Sequence, residues 1–245
     1  MMAPPYGAFR EGLADAMLDL GYEGACVSRA SLTSWNKEKA WPSSFGHSVA
    51  EFVGTGLPII PRHVLARGHE GSYRLAAFLN QPIIPHGHHQ DCADGLDLVA
   101  HVVDAIGNIG DVVWCDISSI SRSNYLTRQE GDVLFVKMLA RRISLPVGNN
   151  VSQIMVERPW IADEADMQTL VWQEGNRTAF ADRVGSQSQA APLESAGVVE
   201  LYSPPRNEID PRIVKSPGLK PWTVTRRLLA EARDRMTPLA TRLLR

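Results

Sequence analysis

Residues 85–91 read Pro-His-Gly-His-His-Gln-Asp, the densest run of chemistry-bearing side chains in a chain of 245 residues. The apolar pair Ile83-Ile84 leads into it, which places the histidines at the end of a strand. In extended backbone His86 and His88 project to one side and His89 to the other. Two imidazoles on one side suit zinc or another divalent metal, with Asp91 as a further ligand or as a carboxylate orienting one. The competing reading is a strand end whose histidines only hydrogen-bond to loop backbone. A complete metal site takes about three or four protein ligands, and this segment alone offers them. His47, His63, His69 and His101 are scattered and read as structural or solvated.

Three further groups carry side chains suited to a site. Pro4-Pro5-Tyr6-Gly7 forms a rigid turn ahead of a helix and sets Tyr6 at the edge of a cleft. Trp35 and Trp41 lie in a segment rich in Ser, Pro and Gly, where indoles either stack on sugar faces or plug the core. Asp116, Ser118, Ser119 and Ser121 follow an apolar run and read first as a helix cap, second as a lining of the same end of the sheet. The three cysteines, Cys26, Cys92 and Cys115, form no close pair; Cys26 and Cys115 fall in strand-like runs, so buried free thiols are expected.

The elements that must hold these residues alternate helix and strand. Phe9, Leu13, Ala16, Met17 and Leu20 recur at helical spacing up to Gly21, and a short strand follows at 24–28. After a long loop, a helix over 63–79 leads to a strand over 81–85. A helix carrying Leu98, Val99, Val102, Val103, Ile106 and Ile109 then leads to a strand over 112–115. Successive units of this kind imply parallel strands with right-handed crossovers. Active sites of such sheets gather at the C-terminal strand ends.

Beyond residue 128 short strand candidates follow one another without helices, at 133–139, 151–157, 169–173, 178–182 and 197–202, as in a small β-sandwich. The tail sets Val224, Leu228, Leu229, Ala232, Met236, Leu239 and Leu243 on one helical face.

A net charge of −2, with 44% apolar and 21% charged residues, gives no electrostatic reason for nucleic acid as the partner. No run approaches the roughly 18 apolar residues of a membrane span. The N-terminus lacks the basic start and apolar stretch of a secretory signal, so a cytoplasmic location is expected for the chain as it stands.

The order of these features resembles the polysaccharide deacetylase, or NodB-homology, family. Ala3-Pro4-Pro5-Tyr6-Gly7, the helix after it and Gly21-Tyr22-Glu23-Gly24-Ala25 look like the family's substrate-groove motif. Ile83 through His89 looks like the late motif, in which an apolar strand ends in the histidine that serves as general acid. Residues 95–114 are similar to the closing helix and strand, where a tryptophan follows the last crossover. The resemblance covers about residues 3–128.

It implies an α/β fold: a partial (β/α) barrel of NodB type over 1–128, then a β-rich, sandwich-like domain over 129–213 and a helical tail over 214–245. It implies de-N- or O-acetylation of a glycan. The general acid is then His88, with His86 or His89 as rivals; Pro5, Tyr6, Trp35, Trp41 and Trp114 contact the carbohydrate; and His86, His89 and Asp91 remain for a metal. The family's Asp and two His metal ligands and its Asp-Asp strand have no counterpart before Pro4, and Ala3 stands where the groove arginine would be. The chain is therefore expected to lack a portion at its N-terminal side or to have lost catalysis, and to hydrolyse weakly or not at all. A sheet short of strands exposes an edge, so a homo-oligomer or another covering partner is expected. The alternatives are a non-catalytic carbohydrate-binding or scaffold protein that uses Trp35 and Trp41, and an independent metalloenzyme built on His86, His88 and Asp91.

Overall fold

The computed structural model describes the chain except residues 5, 6, 164, 175, 176, 190–196, 206, 208, 211, 214–220, 244 and 245; of 177–183, 188, 189, 223, 234 and 237–243 it describes the backbone alone. Pro5 and Tyr6 thus lie outside the described residues. The chain divides into two compact units, Met1–Glu208 and Ile209–Arg245.

The first unit mixes helices with several β-sheets, and among the described residues no sheet closes into a barrel. Its first expected helix is shorter than its periodicity suggests. A 3-10 turn at Glu11–Leu13 precedes α1 (Ala14–Asp19), which buries Ala14, Met17 and Leu18. Gly21 ends it at φ 81°, letting its own N–H reach Leu18 O and the Tyr22 N–H reach Met17 O. β1 (Ala25–Cys26) follows.

The segment expected as a long loop is largely structured. It holds α2 (Arg29–Trp35) and the hairpin of β2 (Glu51–Val53) and β3 (Leu57–Ile60). β3 is buried along its whole length. It pairs parallel with β1 and antiparallel with β2, giving the order β1-β3-β2. Met2 bridges the far side of β1 in the same parallel sense.

β4 (His63–Val64) occupies the first residues of the second expected helix, whose helical part is α3 (Glu70–Phe78). β5 (Pro85–His86) pairs parallel with β4 in a separate two-stranded sheet. α4 (Asp97–Gly107) buries Val102 and Ile106, and α5 (Ile117–Arg122) is capped by Asp116, whose carboxylate accepts from the Ser118 and Ser119 N–H groups at 2.8 and 3.0 Å. The cap reading of Asp116 therefore holds.

The expected strand at 112–115 is absent. Its backbone pairs with no strand among the described residues, and Val113 is 88% exposed. A groove of about 820 Å³, lined by Ile83, Ile84, Pro85, Val113 and Trp114 among others, separates it from the segment leading into β5. An apolar run has the composition of a strand, but only a neighbour's ladder makes it one. Cys115 is accordingly exposed rather than buried, while Cys26 is buried as expected.

The β-rich part contains β6 (Tyr125–Glu130), β7 (Val133–Met138), β8 (Arg142–Val147), β9 (Gln153–Glu157), β10 (Gln168–Glu174), β11 (Arg177–Val184), β12 (Gln187–Gln189) and β13 (Gly197–Tyr202). They form two four-stranded sheets, β11-β10-β13-β8 and β12-β9-β7-β6. Period-2 alternation is visible in β7, β8 and β9, where Leu134, Val136, Met138, Ile143, Leu145, Val147, Ile154 and Val156 point inward. These side chains join Leu170, Trp172, Val199 and Leu201 from the other strands in a single core. Arg158 is fully buried at the edge of this core. Its guanidinium donates to the carbonyls of Gln168, Thr169, Val184 and Gly185 and to Ser203 Oγ.

The second unit contains α6 (Pro221–Leu243). Among the described residues no helix is long and apolar enough to cross a membrane.

Candidate functional site at the ends of the parallel strands

Three parallel segments, Met2, β1 and β3, point their C-terminal ends the same way. The chain leaving them supplies Gly7, Ser28 and Arg62. Chain reversal after such strands frees backbone and side chains from the ladder, which makes this end the usual place for a site.

Gly7 sits at φ 67°, its N–H donating to Pro4 O at 3.0 Å. A β-carbon there would overlap Ser31 Oγ and come within 3.2 Å of Arg62 Nη2. Glycine thus lets the backbone at position 7 lie directly against α2 and the exit of β3. Ser28 caps α2: its hydroxyl accepts from the Ser31 N–H at 3.2 Å and donates to Ser31 Oγ at 2.9 Å.

Arg62 leads straight into β4, and the β4–β5 pair brings two imidazoles alongside it. His86 Nδ1 lies 2.6 Å from His63 O. A carbonyl only accepts, so Nδ1 carries the proton and Nε2 holds the free lone pair of the neutral ring. Burial is the main reason that His86 has its pKa held below the usual imidazole range; the nearby Arg62 guanidinium adds to this, and the His63 carbonyl opposes it. His63 is also held low, chiefly by burial, against a backbone hydrogen bond to Pro82. Its Nε2 is buried without a hydrogen-bond partner among the described residues, and its ring stands edge-on to Tyr73 at 6.2 Å.

His88 and Asp91 lie one turn further out, both exposed, where they cap a 3-10 turn reciprocally. The Asp91 carboxylate accepts from the His88 N–H at 2.6 Å, and the His88 ring accepts from the Asp91 N–H. Gly87 makes room for this, since a β-carbon there would lie 2.7 Å from Asp91 Oδ2 and 3.0 Å from Leu65. His89 is exposed at the start of the turn.

His86, His89 and Asp91 are not brought together as a metal site: among the described residues no group of three or more His, Cys, Asp or Glu side chains could hold an ion. Asp91 is engaged in its cap, while His86, with Nδ1 on a carbonyl, keeps the Nε2 lone pair free.

The tryptophans lie on different surfaces. Trp41 packs on Phe45 at 4.2 Å against the core, with Lys39 Nζ 4.6 Å from its ring centre. Trp35 ends α2 and is 41% exposed. Trp114 lines the open groove beside Pro85, a groove that His86 does not line.

Arg62 and Ser31 were not among the residues singled out by sequence, and His63 was read there as structural or solvated. The signal for them was the run 57–60, a short apolar segment closed by Pro61 and followed at once by Arg-His, which has the same form as the 83–86 run that was recognised. The chain matches no protein-family profile, no curated protein and no solved structure.

Proposed function

We propose that the protein is a polysaccharide deacetylase-like protein whose cleft at the parallel strand ends binds an acylated glycan, with little or no hydrolysis by the chain itself. The observation that carries this is the close approach of Gly7 to Ser31 and Arg62, with Arg62 leading into the strand that pairs with the histidine-bearing β5. Arg62 acts in turn on the His86 ring, which supports reading the two sequence motifs as one site. His88, exposed next to that end, is the residue to protonate a leaving amine or alkoxide, the general-acid role. The deacetylase reaction of the family also needs a bound divalent metal to activate water. The described residues do not fit one, so no attacking step is assigned to this chain.

The test is acetate release from acetylated chito-oligosaccharide and acetyl-xylan, beside calorimetric binding of the same ligands and elemental analysis of the protein. Binding without turnover, weakened in His88→Ala, is the expected result. Turnover dependent on a stoichiometric metal that His88→Ala loses would overturn the metal-free assignment, and absence of glycan binding would overturn the reading as a whole.

The alternative, a carbohydrate-binding protein working through the aromatic segment 35–45, draws its support from Trp35 alone, since Trp41 is spent on Phe45 and the core. It predicts that Trp35→Ala, and not His88→Ala, abolishes binding.

A further inference from the structure

The arginines of the first unit are mostly anchored. Arg158 holds four carbonyls and a hydroxyl, Arg141 donates to Ser203 O and Pro204 O, and Arg29 reaches His47 and Ser43 O. Arg122 and Arg142 both approach Glu23, at 3.7 and 3.5 Å. Arg62 differs. It is half-buried and its Nε is sealed from solvent, yet among the described residues no hydrogen bond or ion pair engages its guanidinium. Asp91, the carboxylate that acts on the same His86 ring as Arg62, is committed to the His88 N–H.

A half-buried cation without a counter-charge is costly, and a ligand that supplies the charge recovers that cost. A planar carboxylate matches the guanidinium fork with two parallel hydrogen bonds. One neighbour suits such a group, since Ser31 Oγ flanks Arg62 across Gly7.

We propose that Arg62 forms a carboxylate subsite in the cleft, so that the ligand carries an anionic carboxylate, from a uronic-acid sugar of the glycan or from a small free carboxylate such as acetate. This rests on the cleft being the glycan site, and it adds the charge of what is bound there.

The experiment is calorimetric titration of the full chain, wild type, Arg62→Met and Arg62→Lys, with three probes: oligogalacturonate, sodium acetate and neutral N-acetylated chito-oligosaccharide. Circular dichroism confirms that each variant is folded. The expected result is binding of a carboxylate probe that falls about 10-fold or more in Arg62→Met, with Arg62→Lys recovering only part because a point charge lacks the fork. Binding of that probe also weakens with added salt. If only oligogalacturonate shows the dependence, the carboxylate belongs to a sugar; if only acetate does, it is a small free acid. Either outcome upholds the subsite. Equal carboxylate binding by wild type and Arg62→Met, or no carboxylate binding, overturns it. The neutral probe keeps the glycan reading separate: its binding by the wild type leaves that reading standing whichever way the subsite falls.

Discussion

The two halves of the first unit spend their residues differently. The β-rich half uses strands of up to eight residues whose inward side chains merge into one core, and it satisfies its buried cation, Arg158, five times over. The α/β half uses strands of two to four residues and divides its buried side chains between two clusters; among the described residues, buried polar atoms without hydrogen-bond partners occur in both, His63 Nε2 and Arg62 Nε here and Arg158 Nε, Trp160 Nε1 and Gln168 Oε1 there. Long ladders fix a continuous core, whereas short ones end quickly and release side chains at their tips, where the candidate site lies.

The largest effect expected from this contrast is at Arg158. Arg158→Met strips its donor from five acceptors, two of them in buried and three in part-buried hydrogen bonds, and should destabilise by about 3–5 kcal/mol, read as a lower urea midpoint. Arg62→Met, at a cation with no partner to lose, should leave the midpoint nearly unchanged. Equal losses would erase the distinction between the halves.

Trp160 is where the halves meet. Its ring lies 5.2 Å from Phe52 on β2 and 5.0 Å from the Arg141 guanidinium, and Gly56, at φ 109°, admits it where a β-carbon would come within 2.6 Å. Trp160→Ala should cost about 3 kcal/mol and split a single unfolding transition into two by calorimetry. A single unshifted transition would show that the halves are held together elsewhere.

Acid should act on the α/β half. His63 and His86 have folded pKa values below the ordinary 6.5, so the unfolded chain takes up protons first. Their contribution is complete above that value and is lost as the pH falls through the lowered ones. The melting temperature should decline from pH 7.5 to 5, and His63→Phe should flatten the decline. The smallest effect is chemical: burial pushes the Cys26 thiol up to about 11, whereas Cys115 is exposed. At pH 8 iodoacetamide should label Cys115 and spare Cys26, with no change in fold.

Legibility in the sequence followed the same division. The helix at 97–107 and the strands β7, β9, β10 and β13 were readable because their apolar periods run long enough to repeat. β8 escaped because Pro146 and the paired arginines at 141 and 142 look like a turn, although Ile143, Leu145 and Val147 keep the alternation. β1 was found, and the strand expected over 81–85 shares only Pro85 with β5; β2, β3 and β4 are too short to show a period. The run 112–115 failed in the opposite sense: its composition is that of a strand and its neighbour is missing. Of the site, His86 and His88 were legible as a local cluster. Arg62, His63 and Ser31 enter it only through parallel pairing and the close approach at Gly7, which a one-dimensional pattern does not record.

The central claim, that ligand binds at the parallel strand ends, is tested most directly by histidine-selective NMR during titration with acetylated oligosaccharide. His63, His86 and His88 should shift together, while His101, held by Glu70 at 2.7 Å between α3 and α4, stays still. Saturable binding with those three resonances unmoved would contradict the account and send the search to another face of the molecule.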